Sequence, residues 1–578
     1  MDPTPVKKTK SFLSLLLCAL LIFSGSACNG LASSKVPDEV IPEHSETNYE
    51  DMTYSRPDLD AVNANFELTL SLAGQDNAED RLFETYDTLL EQISHISTMD
   101  TLATLQNEID LSNTYYEEEM NLLDNELTKL DNSMNEVTEA ILDSSYRDAF
   151  VEKMGKDFIE RYEYYSKLNS REIEALSEQE NALVTEYKKL LAKDYTTVYN
   201  GREVTINDLD FTDPNVITPY YEICMQKNAE CADIYLKLVK IRTQIASTLG
   251  YESYADYAYD ALGRDFSKED AAKFCEMVKK NIVPVANSMA SRYEAKITAA
   301  MADSSLSLED GLPFLESALE KEFPAAMSEA LQYMLDRGLY IFDDDPNMMP
   351  AGFTTLINDY AAPFLFINTS TYTDPGTLFH EFGHYYNFYL MGKTTWNDSN
   401  NLDLAEVHSQ GLELLMFDYY NEIYGENAQI MQASVISSLL DSIRMGCCED
   451  EFQQRVFENP DMTIDEMNQL HGTLYQEYMG YPIYYEWVDI HHHFETPFYY
   501  ISYATSAASA FEIWELAQSD REAALTAYRS ITQNTVNSGY LEPLKKAGLS
   551  NPFTSDMVKK VAETINDNYL ERVKRGGK

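Results

Sequence analysis

Two histidines four residues apart, His380 and His384, bracket a glutamate in the run Asp374-Pro375-Gly376-Thr377-Leu378-Phe379-His380-Glu381-Phe382-Gly383-His384. On a helix such residues project from one face, one turn apart, so their imidazoles can bind a single Zn²⁺. Glu381, beside the first histidine, is then placed to take a proton from the water that the ion holds. The helix that presents them is marked at both ends. Asp374 suits an N-cap, Pro375 the first helical position and Gly392 the residue just past the end. Gly383 inside this helix costs about 1 kcal/mol relative to alanine. That cost asks for a close approach there, by substrate or by a neighbouring strand.

A catalytic zinc takes a third protein ligand and keeps one position open. Glu406, 22 residues after His384, is the best candidate, since the interval allows a turn and an antiparallel return. Ser409, Gln410 and Glu413 follow it at helical spacing. Glu413 is suited to accept a hydrogen bond from a ligand histidine and fix its tautomer. His408 faces away from Glu406 on a helix and is the rival ligand. The expected complement is one zinc per chain.

Length and composition bound what surrounds this motif. A chain of 578 residues supports two or more packed lobes, and 44% hydrophobic with 12% aromatic residues sets general disorder aside. A formal charge of −53 and a pI near 4.3 exclude nucleic acid as a natural partner. Lys7, Lys8 and Lys10 precede an apolar run from Ser11 to Phe23, too short to span a bilayer comfortably, and Gly25-Ser26-Ala27-Cys28 follows. Residues 1–27 are therefore expected to be a lipoprotein-type signal peptide. Cys28 would carry a lipid anchor and hold the protein outside the cytoplasmic membrane; simple secretion is the fallback. The remaining cysteines, Cys224, Cys231, Cys275, Cys447 and Cys448, are odd in number and lack C-x-x-C spacing. That argues against a disulfide framework and against a cysteine metal site.

Residues 28–62 are polar, contain Pro37, Pro42 and Pro57, and predict a flexible tether. Residues 63–205 predict a helical N-terminal lobe, with stripes such as Leu122, Leu123, Leu127, Leu130 and Met134 forming core. Asn200-Gly201 between β-branched runs predicts a hairpin at the lobe boundary. Residues 206–575 form the catalytic domain. Within it, 352–357 and 363–368 predict two strands just before the motif helix, an exposed edge of which could pair with an extended peptide. Further on, Thr496 and Pro497 suit the start of a helix, with His491, His492 and His493 in the loop before it.

Phe379-His380-Glu381-Phe382-Gly383-His384, with Glu406-Val407-His408-Ser409-Gln410 and Leu412-Glu413 downstream, resembles the thimet oligopeptidase and oligoendopeptidase F family of zinc metallopeptidases, nearest the oligoendopeptidase F branch. The likeness covers roughly residues 64 to 570. His408 stands where the family usually has a small residue or proline. The resemblance implies a mainly α, two-lobed zinc peptidase with a small β-sheet beside the metal helix and a deep substrate channel. Its substrates would be short peptides. It also gives roles to the segment from His491 to Tyr503. Matched residue by residue, the catalytic histidine is His492, with Tyr499 and Tyr503 as catalytic tyrosines and Tyr500 and His493 binding substrate. Three consecutive histidines leave that register open by one. The expected activity is zinc-dependent endopeptidase action on short peptides, with metal ligands His380, His384 and Glu406 and general base Glu381. The alternatives are a zinc peptidyl carboxypeptidase of the angiotensin-converting type and a non-catalytic peptide-binding lipoprotein.

Overall fold

The structure, a computed structural model, describes residues 40–168, 172–396 and 398–571. The expected signal peptide and the Cys28 anchor lie outside the described residues. What is described is mainly helical, with two small sheets. No helix among the described residues is long and apolar enough to cross a membrane.

The N-terminal part is built from long helices, Leu59–Ala73, Glu79–Ile109 and Thr114–Leu142, packed side by side. Asp58 caps the first by accepting from Ala61 N at 3.1 Å. Leu123, Leu130 and Met134 of the stripe are buried, as amphipathic spacing requires. The hairpin forms where Asn200-Gly201 placed it. Strands β1 (Thr197–Tyr199) and β2 (Arg202–Val204) pair antiparallel, and Asn200 and Gly201 both take positive φ, at 52° and 73°.

Residues 40–58, expected to belong to a tether, instead lie against the body. Their polar composition hides a few anchors. His44 sits 2.6 Å from Ala361 O and stacks on Tyr389, with ring centroids 4.1 Å apart. Ser45 N donates to Tyr360 O at 3.0 Å, Tyr49 packs on Phe364, and Met52 is buried.

The sheet that matters for the site has three strands. Strand β4 (Gly352–Ile357) runs antiparallel to β5 (Ala362–Asn368), joined by a turn in which Ala361 has φ 48°. Strand β3 (Tyr340–Asp343) lies parallel on the other side of β5, so the order is β3-β5-β4. β3 is only four residues long and sets no alternating pattern of its own. β5 is buried along its whole length, whereas β4 is an edge strand and largely half-buried. The motif helix Pro375–Met391 lies across β4 and β5.

Behind it the long helices Lys268–Asp303 and Ala428–Glu458 pack together. Helix Ile501–Ala517 joins the latter to the short helix Val407–Leu415. A continuous apolar core runs through all these layers, and a small second cluster (Tyr195, Leu209, Val216 and Ile223) lies beneath the hairpin.

Candidate active site

The motif helix begins and ends as its flanks dictate. Asp374 accepts a hydrogen bond from Gly376 N at 2.7 Å, Pro375 occupies the first turn, and Gly392 ends the helix with φ 64°. Gly383 is explained by a neighbouring helix rather than by a strand or substrate. A Cβ there would lie 2.6 Å from both His408 O and Ser409 Cα, so the missing side chain lets the helix Val407–Leu415 touch backbone to backbone.

That approach brings Glu406 to the histidines. His380 Nε2 and His384 Nε2 lie 3.3 and 3.4 Å from Glu406 Oε2. Bonds of about 2.0–2.1 Å to a tetrahedral ion would set adjacent donor atoms about 3.3 Å apart, so this triad has the spacing of three zinc ligands. Two imidazole nitrogens and a carboxylate oxygen are also a donor set that leaves zinc one position free. Glu406 sits just before its helix, after a 3₁₀ turn at Leu402–Leu404. A buried network fixes that turn. Arg264 Nε donates to Asp403 Oδ2 at 3.2 Å, Ser502 Oγ to Asp403 Oδ1 at 2.8 Å and Ser506 Oγ to Asp403 O at 2.9 Å. Ser409 Oγ donates to Glu406 Oε2 at 2.8 Å.

The far nitrogens of both histidines are backed. His380 Nδ1 donates to Glu413 Oε1 at 2.6 Å, leaving the Nε2 lone pair for the triad. His384 Nδ1 is 3.0 Å from His408 Nε2. His408 is thus a backing group for a candidate ligand rather than a bystander pointing elsewhere, which its spacing from Glu406 alone did not reveal. Glu381 is oriented by the sheet. Thr354 Oγ1 on β4 donates to Glu381 Oε2 at 2.9 Å and also reaches Glu381 O at 3.0 Å. Burial pushes the Glu381 carboxyl up, opposed by the two histidines and by the Thr354 hydroxyl. Sequence reading missed Thr354, although its place on a strand next to the motif helix was a usable signal.

The aromatic segment departs from expectation in its local structure. The helix starts at Ile501, not at Thr496, and His492–Glu495 form a single helical turn. Phe498 has φ 65°, a conformation unfavourable for a bulky residue, and it breaks the helix before Tyr499. Phe498 N donates to Gln453 Oε1 at 3.1 Å, which holds the break in place.

His492, Tyr499, Tyr500 and Tyr503 nevertheless gather into one cluster. His492 stacks on Tyr499 at 4.9 Å, and Tyr503 meets Tyr499 edge-on at 5.5 Å and Tyr500 at 5.2 Å. Burial pushes His492 down to about 3, with His491 and His493 adding to the drop, so its imidazole is neutral. Burial raises both the Tyr499 and Tyr503 phenols, and the nearby Glu406 carboxylate adds to each rise. The phenols stay protonated and able to donate. His493 does not join this cluster. It points into the core, fully buried, with Nε2 3.2 Å from Glu449 Oε2, so the expectation that it binds substrate fails on geometry.

The fold has parallels among solved structures. One, provisionally described as an oligoendopeptidase F, superposes with a TM-score of 0.71 at 25% identity, over 91% of this chain and 100% of the other. PZ peptidase A with a bound inhibitor gives 0.70 at 25% identity, over 90% and 98%. Residues 49–169 match the model of the peptidase M3 N-terminal domain. The chain has the fold of the M3 oligoendopeptidases. A further structure, provisionally described as an oligoendopeptidase F from Bacillus anthracis, shares this oligoendopeptidase fold at 24% identity, over 92% of this chain and 100% of that one, with a TM-score of 0.68. Comparison with curated proteins gives no match. The M3 match begins at residue 49, ahead of the expected start of the N-terminal lobe at residue 63.

Proposed function

We propose that this chain is a zinc-dependent oligoendopeptidase that hydrolyses internal bonds of short peptides. The observation that carries the reading is that Glu406 Oε2 lies 3.3 and 3.4 Å from His380 Nε2 and His384 Nε2, two histidines of the helix that also carries a buried Glu381. A zinc ion held there would supply Lewis acidity toward a water and toward the scissile carbonyl. Glu381, steadied by Thr354, is the base for that water and returns the proton to the leaving amine. Tyr503 and Tyr499 are the donors for the developing oxyanion, and the neutral His492 stacked on Tyr499 orients them. Edge strand β4, with Gly352 and Thr354 close to Glu381, offers main-chain groups to an extended peptide. A deep channel between helical lobes would restrict substrates to short, unfolded chains.

The deciding experiment is digestion of an unbiased peptide mixture, followed by mass spectrometry, with wild type and Glu381→Gln. The variant should keep its zinc and lose about 10²–10⁴-fold in kcat. Loss of zinc from Glu381→Gln, or unchanged cleavage, would remove the base assignment. Cleavage of C-terminally amidated peptides separates an endopeptidase from a carboxypeptidase. The same reading puts the enzyme outside the cytoplasmic membrane on a Cys28 lipid anchor, a proposal resting on the N-terminal sequence alone. Cys28→Ala should release it or leave an uncleaved precursor.

A further inference from the structure

Beneath the tyrosine cluster lies a second group of metal-ligating side chains. Cys448 and Glu449 lie on the helix Ala428–Glu458, His471 on the helix Ile464–Met479, and His493 on the single turn before the tyrosines. All four are 0–1% exposed. One donor atom each from Cys448, Glu449 and His471 lies within 4.8 Å of the other two. The Glu449 oxygens are divided between the imidazoles: Oε1 is 3.2 Å from His471 Nε2, and Oε2 is 3.2 Å from His493 Nε2.

Tautomer and pairing both point inward. His471 Nδ1 donates to Ile483 O at 2.8 Å, the backing bond typical of a ligand histidine, and its Nε2 donates to Glu449 Oε1 at 3.2 Å, a bond that an ion between the two would replace. Glu449 Oε2 and both ring nitrogens of His493 have no hydrogen-bond partner in the structure, although they are sealed from water. The 3.2 Å between His493 and Glu449 is therefore a contact of neighbouring donor atoms without the directionality of a hydrogen bond, like that between Glu406 and its two histidines. The walls are apolar: Phe452 and Trp487 lie 5.4 and 6.3 Å from the His493 ring. An unsatisfied carboxylate oxygen in such a place is costly unless something positive faces it.

We propose that Cys448, Glu449, His471 and His493 form a second, closed metal site for a zinc-like divalent cation. A thiolate, a carboxylate and two neutral imidazoles would balance the ion's two positive charges and leave a neutral unit in the core. Binding would release the Cys448 thiol proton and the His471 Nε2 proton to solvent. The thiolate favours zinc over magnesium or calcium. Four protein ligands and no access to water make the site structural rather than catalytic, in contrast to the first triad, whose side chains are 19–28% exposed. The ion would tie the histidine turn to two long helices directly below His492. Cysteine spacing could not announce such a site, because only one of its ligands is a cysteine.

Cobalt substitution of the full-length protein tests this independently of the catalytic reading, since only the second site contains sulfur. The wild type should bind about two ions per chain and show a thiolate-to-cobalt charge-transfer band in the near ultraviolet. His380→Ala should keep the band and about one ion. Cys448→Ser should lose the band and melt at lower temperature. If the variants fail to fold, the wild-type spectrum and metal count decide alone. A wild type that binds one ion without the sulfur band would overturn the proposal and leave Glu449 as a metal-free carboxylate shared by two imidazoles.

Discussion

Gly383→Ala is the most demanding test of how this site is assembled, because it adds one methyl group and removes no functional atom. The new Cβ would lie 2.6 Å from His408 O and Ser409 Cα, whereas ordinary contact begins near 3.4 Å. Both obstacles are backbone, so no side chain can swing aside, and the two helices must part by about 0.8 Å or tilt. Glu406 precedes the displaced helix directly and would move with it. Metal-site distances tolerate about 0.2 Å, so the shift is several times what the triad can absorb. On propensity alone, alanine should stabilise the helix by about 1 kcal/mol. Overpacking of this kind costs about 1–3 kcal/mol, so net destabilisation is expected. The assay is zinc affinity by competition with a chelator, alongside thermal unfolding and peptide turnover. Affinity should fall at least tenfold and activity with it, while Glu381 and the tyrosines stay chemically intact. A Gly383→Ala enzyme with wild-type zinc affinity would refute the claim that backbone contact sets the position of Glu406.

Other expectations are shorter to state. Glu413→Gln, which weakens the partner of His380 Nδ1, should lower metal affinity by about 10–100-fold in the same competition assay, and Glu413→Ala at least as much. Tyr503→Phe should lose about 10²–10³-fold, mainly in kcat. A rise in KM with unchanged kcat would move the oxyanion role to Tyr499 or Tyr500. In the N-terminal lobe, burial and then Asp124 raise the Asp100 carboxyl to about 7. The folded chain thus holds a proton that the unfolded chain releases near pH 4, so this group makes stability fall as pH rises from about 4 to about 7, and flat above. Asp100→Asn should therefore raise the melting temperature at pH 8 and give no gain below pH 4, and an equal gain at both pH values would contradict the assignment.

What could be read beforehand was the chemistry that nearest neighbours carry. The ends of the motif helix follow from Asp374, Pro375 and Gly392, and the hairpin follows from Asn200-Gly201, because caps and tight turns are decided within a few residues. The long acidic helices follow from apolar spacing. What escaped depends on residues far apart in the chain. Thr354 meets Glu381 only after β4 has paired, and His408 backs His384 only because Gly383 lets two helices touch. His493 looked equivalent to His492 in a run of three. One turn of helix sends their rings opposite ways, one to the tyrosines and the other to Glu449. The break at Phe498 was also hidden, since positive φ at a phenylalanine runs against its own preference and is imposed by its surroundings, among them the Gln453 side chain.

The anchors of residues 40–58 bear on where the working enzyme begins. His44 covers Tyr389, Pro42 sits within 2.6 Å of the Cβ position of Gly392, and Tyr333 Oη donates to Ser45 O at 2.8 Å. Tyr389 and Gly392 belong to the far end of the helix that carries His380 and His384. The match to the M3 domain starts at residue 49, past these three anchors. A chain trimmed to that boundary would keep every residue of the candidate site and lose the backstop behind its central helix. Loss of residues 40–48 would therefore loosen that helix without removing any side chain of the candidate site.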